Sequence, residues 1–245
     1  MRDMLNFNAK KKKSNSPRII LVCGAKGGVG KSTICYNLAL AAKNSGKKTA
    51  IVDADIYGPS IHHLCGLKQQ APEIKHNLMI PIVKNGLQIN SMGFLIPSEK
   101  ALVWRGPMIT KALNNLINNT VWEDLDFMFI DMPPGTGDAY ISLLKNFPES
   151  EAVIVSQSQQ MALIDTTRTV DLMQKINIKI LGMVENMSIG SNKGNGQNFC
   201  KKHKINHLGQ IGFDPEIAEL SDQGKAFIDE DNKNSETLLK IIEKL

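Results

Sequence analysis

The chain has no apolar run approaching the roughly 20 residues that a membrane-crossing helix needs. Its opening stretch, MRDMLNFNAKKKKSNSPR, contains no hydrophobic core of a signal peptide. A cytoplasmic protein is the expectation. It also lacks any C-x-x-C pair: Cys23, Cys35, Cys65 and Cys200 are scattered along 245 residues, which fits a reducing compartment better than a disulfide framework. The first three read as buried thiols. Net charge is missing where nucleic acid would require it. Residues 1–18 hold six basic side chains against Asp3 and carry the whole formal charge of +5, leaving 23 basic and 23 acidic residues in a neutral body. Sequence-independent affinity for nucleic acid needs clustered lysine and arginine, so none is expected to bind there. Residues 1–17 read as a disordered basic tail, with a tether to nucleic acid or an acidic surface as the alternative. No internal repeat is present, and the length suits one domain over 18–245.

What is present is an alternation. The apolar runs RIILVCG, KTAIVDAD, LDFMFIDMP, AVIVSQ and IKILGMVEN read as buried strands, and most end in a polar or glycine-rich turn before a helical pattern. This predicts an α/β fold: a doubly wound, mostly parallel sheet flanked by helices on both sides, with ligands collected at the carboxyl ends of the strands. The composition of Ser188–Asn198, SIGSNKGNGQN, marks a flexible loop.

The most informative stretch is IILVCGAKGGVGKSTICYN, Ile19 to Asn37. A strand runs into Gly24, Ala25, Lys26, Gly27, Gly28, Val29 and Gly30, and a helix follows with apolar residues at Ile34, Leu38, Ala39, Ala41 and Ala42, stopped near Gly46. Glycines let backbone N–H groups turn in around a β-phosphate, the helix start adds partial positive charge, and Lys31 can reach the β- and γ-oxygens. Ser32 is placed to hold Mg²⁺ through its hydroxyl, with Thr33 beside it. The strict pattern G-x-x-x-x-G-K-[ST] has glycine where this chain has Ala25.

Two carboxylate motifs accompany the loop. In KKTAIVDADIYGPS, Asp53 and Asp55 close a strand, and alternate strand residues point the same way, so both can face the nucleotide. FMFIDMPPGTGD is an apolar strand ending in Asp131, the arrangement in which an aspartate holds a magnesium shell; Gly135 and Gly137 then permit a loop that senses the γ-phosphate, and Asp138 caps the segment after it.

KGGVGKST resembles the deviant phosphate loop of the ATPases that include ParA, MinD, the nitrogenase iron protein and the Mrp group. The resemblance implies an ATP-linked homodimer in which Lys26 reaches the partner subunit's nucleotide, Asp55 orients or deprotonates the attacking water, and Asp53 lies near the phosphate–metal region. Four motifs narrow it further. VDADIYGPSI, VWRGPMITKAL, MPPGTGDAYISL and ILGMVENMS occur in the order seen in the Mrp (ApbC-like) family of iron–sulfur cluster carrier ATPases, over roughly Arg18 to Ile228. This implies adenine contacts from Asn186 and from the backbone around Pro215, and places Arg105 near the switch segments. It also implies iron–sulfur scaffold or apo-acceptor proteins as partners, and slow, client-stimulated hydrolysis.

One departure stands out. Members of that family usually follow ENMS with C-P-x-C, whose thiolates bridge a [4Fe–4S] cluster across the dimer, and no such pair occurs here. Cys200, His203 and His207 form C-x-x-H-x-x-x-H, which on one helical face could supply some metal ligands, Cys200 among them. Three functions stand as expectations: an Mrp-type ATPase of iron–sulfur cluster assembly or transfer; a ParA- or MinD-like positioning ATPase that binds DNA or membrane; and a nucleotide-binding scaffold with little hydrolysis. The apolar stripe Leu238, Ile241, Ile242 and Leu245 is the sole membrane-like feature, and docking of a last helix on its own sheet explains it.

Overall fold

Strand β1 (Arg18–Cys23) shows why the chain folds in layers. Ile20 and Val22 enter one apolar cluster while Leu21 and Cys23 enter another on the opposite side. β2 (Thr49–Asp53) and β7 (Phe127–Asp131) repeat the division, with Ile51 and Phe129 on the first side and Val52 and Ile130 on the second. A period of two in runs apolar throughout means burial on both faces, which parallel strands require.

The computed structural model describes residues 16–67, 70–95, 106–145, 147–190 and 194–245. The basic tail, apart from Ser16 and Pro17, lies outside them, as does Arg105. The five expected strands are present: β1, β2, β7, β8 (Glu151–Ser156) and β9 (Lys179–Ser188). Five more were not read from the sequence: β3 (Glu73–Lys75), β4 (Leu78–Ile80), β5 (Ile82–Lys84), β6 (Leu87–Ser91) and β10 (His207–Gly212). The main sheet has eight strands in the order β10-β9-β8-β1-β7-β2-β6-β5, parallel except for β5, which runs antiparallel to β6. β3 and β4 form a separate antiparallel hairpin.

One face is covered by α1 (Lys31–Asn44) and α8 (Lys233–Ile242), the other by α3 (Gly106–Asn118), α4 (Asp138–Lys145) and the end of α5 (Gln160–Lys175). Alanine and leucine favour α1 intrinsically, and Gly46, at φ 83°, ends it with bonds from its own N–H to Lys43 O and from Lys47 N–H to Ala42 O. α8 starts at Asn232, whose side chain accepts from Asn234 N and Ser235 N, and it buries Leu238 and Ile241 against the sheet. That docking accounts for the C-terminal apolar stripe. The loop expected over Ser188–Asn198 is shorter than composition suggests, because β9 continues to Ser188 and α6 (Asn195–His203) begins at Asn195. Burial of Phe199 and Cys200 against β8 and β9 draws that helix onto the sheet. No described helix is long and apolar enough to cross a membrane.

Candidate nucleotide site

The carboxyl ends of β1, β2 and β7 meet at one level. Parallel register pairs Val22 with Asp131 and Asp131 with Asp53, and β6 adds Ser91 opposite Asp53. The glycine loop leaves β1 at this central point. Gly24 is closely surrounded, since a Cβ there would stand 3.1 Å from Val29 Cγ2 and 3.4 Å from Val155 O, tight enough that the Val29 side chain would have to give. Gly28 and Gly30 hold φ of 80° and 79°, which only glycine adopts readily, whereas Ala25 has no positive φ and so needs no glycine. The substitution that breaks the strict pattern is therefore conformationally neutral. α1 then opens from Gly30 with no side-chain cap and no acidic residue in its first turn. Uncapped N–H groups and the helix dipole make this an anion seat.

Lys31 Nζ donates to Asp131 Oδ1 at 2.5 Å, and both side chains are closed to solvent. Burial works to lower the Lys31 pKa, and the neighbouring carboxylates, Asp131 foremost, outweigh it and raise the value. Asp131 is itself held above the ordinary carboxylate range by burial, against the pull of Lys31. Its second oxygen, Oδ2, is buried with no partner among the described residues, and an unpaired buried carboxylate oxygen beside a phosphate seat suits a cation or its water.

Asp55 and Asp53, two residues apart, differ in their surroundings. Asp55 lines a cleft of about 490 Å³ together with Lys26, Gly27, Gly28, Gly30, Lys31, Ser32, Thr33, Tyr57, Gly58, Ser60 and Pro134. Its Oδ1 accepts from Tyr57 N and Gly58 N, both at 3.1 Å. Asp53 does not line this cleft, in contrast to the sequence expectation; it is fully buried behind it and accepts from Asp55 N, Ser60 N, Ile61 N and Ser91 Oγ. Burial, reinforced by Asp131, pushes its pKa up to about 7.

A second, more apolar cleft of about 430 Å³ adjoins the first through Gly30 and Thr33. Asn186, Met187, Phe213, Pro215, Ile217 and Phe227 are among its walls, so Asn186 and Pro215 share a cleft with Gly30 and Thr33. Asn186 Nδ2 donates to Val29 O at 2.9 Å across 157 residues of chain. Phe213, a residue 62% exposed at this rim, was not singled out from the sequence; an aromatic just before D-P-E is the signal that points to it. Lys26 rests on α5, where Asp165 Oδ2 accepts from it at 2.7 Å and Asp165 Oδ1 also accepts from Arg168 at 3.3 Å. The hydrogen bond from Lys26 lowers the Asp165 pKa. Nothing local in the sequence marks Asp165.

The C-x-x-H-x-x-x-H idea does not survive the geometry. Cys200 is 2% exposed within α6, His203 packs on Phe199, and His207 lies on β10 facing Glu185 at 3.3 Å, so the three share no helical face. Burial, with Glu185 nearby, pushes the Cys200 thiol up to about 12. No cluster of three or more histidine, cysteine or acidic side chains able to hold a metal occurs among the described residues.

Comparison with known proteins agrees with this geometry. The ParA family model, described as NUBPL iron-transfer P-loop NTPase, matches residues 15–245. The iron–sulfur cluster carrier protein of Rickettsia conorii is 42% identical over 209 residues, covering 85% of this chain and 65% of its own length. The chain thus spans just under two thirds of that relative. Among solved structures, a nucleotide-binding protein of Archaeoglobus fulgidus in complex with ADP is 30% identical, with a TM-score of 0.74 over 85% of this chain and 86% of that one. The cell division ATPase MinD of Pyrococcus furiosus shares the fold at 22% identity, with a TM-score of 0.71 over 93% and 97% of the two chains. With a glycine loop, a buried lysine and Asp55 on one cleft, and strand-end Asp131 paired to that lysine, the chain belongs to the NUBPL iron-transfer P-loop NTPase family.

Proposed function

We propose that this protein binds ATP with Mg²⁺, hydrolyses it slowly, and uses the cycle in iron–sulfur cluster assembly or transfer. The observation that carries the reading is the buried Lys31–Asp131 pair beneath an uncapped helix start, with Asp55 facing the same cleft. Polyphosphate would seat on the loop amides, and Lys31 would exchange Asp131 for phosphate oxygens. Asn186 is oriented by Val29 O, which leaves its carbonyl oxygen for the amino group of adenine. Mg²⁺ fits Ser32 and Asp131, whose Oδ2 lacks a partner; when bound it supplies positive charge to the β- and γ-oxygens. Asp55 aligns a water for in-line attack on the γ-phosphorus. The new P–O bond forms as the bond to the β–γ bridging oxygen breaks, ADP leaves with that oxygen, and the water's proton passes to Asp55 or the released phosphate. In a homodimer, Lys26 leaves Asp165 and adds positive charge at the partner's nucleotide.

The cluster is cargo here. All four cysteines are buried, and a buried protonated thiol is a poor iron ligand, so we assign this chain the energy-transducing role and the cluster ligands to a scaffold or acceptor partner. Two measurements test the reading. Wild-type phosphate release should exceed that of Asp55→Asn; equal rates would reduce the protein to a nucleotide-binding scaffold. Anaerobic reconstitution with iron and sulfide should leave the isolated chain without a stable visible chromophore, and a cluster lost in Cys200→Ser would reverse the assignment of cargo to a partner.

A further inference from the structure

Asp53 is the most heavily bonded carboxylate in the site, yet it touches none of the cleft. Its Oδ1 accepts from Asp55 N at 3.2 Å, and its Oδ2 accepts from Ser60 N at 2.9 Å and Ile61 N at 3.0 Å. Both ends of the segment that carries Asp55 are thereby fastened to one side chain. The fourth donor comes from elsewhere in the chain: Ser91 Oγ, at the end of β6, donates to Oδ2 at 2.9 Å. Ser91 Oγ also accepts from Gly93 N at 2.9 Å and so caps the short 3-10 helix Met92–Phe94. The two segments approach closely, since a side-chain carbon on Gly93 would lie 2.3 Å from the ring of His62 in α2 (Ile61–Leu64). The end of β6 thus packs against α2, whose first amide, Ile61 N, is itself one of the donors to Asp53.

We propose that Asp53 and Ser91 are positioning residues that set Asp55 against the attacking water from the end of β6, and that Asp53 contacts neither phosphate nor metal. The inference rests on the ATPase reading above for its kinetic consequence only; the positional claim stands on the hydrogen bonds. A group held within a fraction of an ångström by shared acceptors loses catalytic effect when released, with about 10- to 100-fold typical for a displacement of about an ångström.

The test uses Ser91→Ala and Ser91→Thr in the full chain, with Ser91→Cys as a near-isosteric variant in case alanine impairs folding. Hydrogen exchange at the Ser60 and Ile61 amides and steady-state ATP turnover are both read. Ser91→Ala should speed exchange at those amides at least about tenfold and lower kcat about tenfold, with the KM for MgATP and the Mg²⁺ half-saturation within about twofold of wild type. Ser91→Thr, which keeps the hydroxyl, should restore both readouts, and Ser91→Cys should fall between. Unchanged amide exchange in the alanine and cysteine variants would overturn the proposal, as would a rise in KM at constant kcat. If wild type hydrolyses no faster than Asp55→Asn, the ATPase reading fails while the amide exchange still decides the positioning.

Discussion

Lys31 and Asp131, 100 residues apart, form an ion pair closed to solvent at 2.5 Å. Removing one partner of such a pair leaves an uncompensated buried charge, a loss of about 3–5 kcal/mol. Lys31→Ala should therefore lower the unfolding midpoint and abolish tight ATP binding. Adding Asp131→Asn should recover most of the stability but none of the binding, as read by chemical denaturation beside nucleotide titration. Recovery of both would show that Lys31 serves the fold and not the phosphate.

Lys26 is expected to behave differently. Its ion pair with Asp165 is partly exposed, so Lys26→Ala should change stability by less than about 1 kcal/mol. ATP binding should persist at near wild-type affinity while turnover falls by at least about tenfold, the scale of a lost transition-state charge contact. Equal loss of binding in Lys26→Ala and Lys31→Ala would sink this division of labour.

Gly30 joins the two clefts. A methyl group there would sit 2.2 Å from Asn186 Nδ2, at a φ of 79°. Gly30→Ala should destabilise the protein by about 1–2 kcal/mol through backbone strain and displaced packing. Because the displaced side chain is the one proposed to meet the base, the variant should also lose preference for ATP over GTP in competition binding. Retention of that preference would remove Asn186 from base recognition.

Asp53 supplies a pH dependence. Its folded pKa of about 7 lies above its ordinary value of 3.8, so the native state holds a proton there that the unfolded chain has released. Between those values the native state binds more protons than the unfolded one, so this group's contribution to stability is fully present below about 4 and is lost as pH rises to about 7. In melting experiments without nucleotide, wild type should lose stability relative to Asp53→Asn as pH is raised across that window. A constant difference between the two would mean that the four donors to Asp53 keep it ionised throughout.

How far the sequence alone reached depends on the range of the interactions involved. Strand, glycine loop and helix at Arg18–Asn44 were legible because each depends on near neighbours: an apolar run buried on both faces, glycine at positive φ, and a helix ended at Gly46. Asp131 was singled out for a similar reason, since a carboxylate closing an apolar parallel strand lies at the carboxyl end of the sheet, where β1 delivers the glycine loop; Asp55 follows two residues after the end of β2. Strands β3, β4 and β5 were missed because three residues each are too few to show a period, and β6 (LQINS) and β10 (HLGQIG) because polar residues and glycine interrupt their apolar runs.

Tertiary structure decided the rest. It separated Asp53 from Asp55 by giving Asp53 four internal donors, one of them from Ser91 across two strands' pairing, which no spacing could announce. It placed Lys26 on Asp165 and locked Asn186 to Val29. It also withdrew Cys200 from solvent, because the helix that carries it packs its apolar side onto the sheet. The sequence by itself determined that a nucleotide loop would form and which strand ends would face it. Which carboxylate lines the cleft and which is buried behind it was decided by pairing between residues far apart in the chain, where burial and hydrogen-bond satisfaction, and not local propensity, set the geometry.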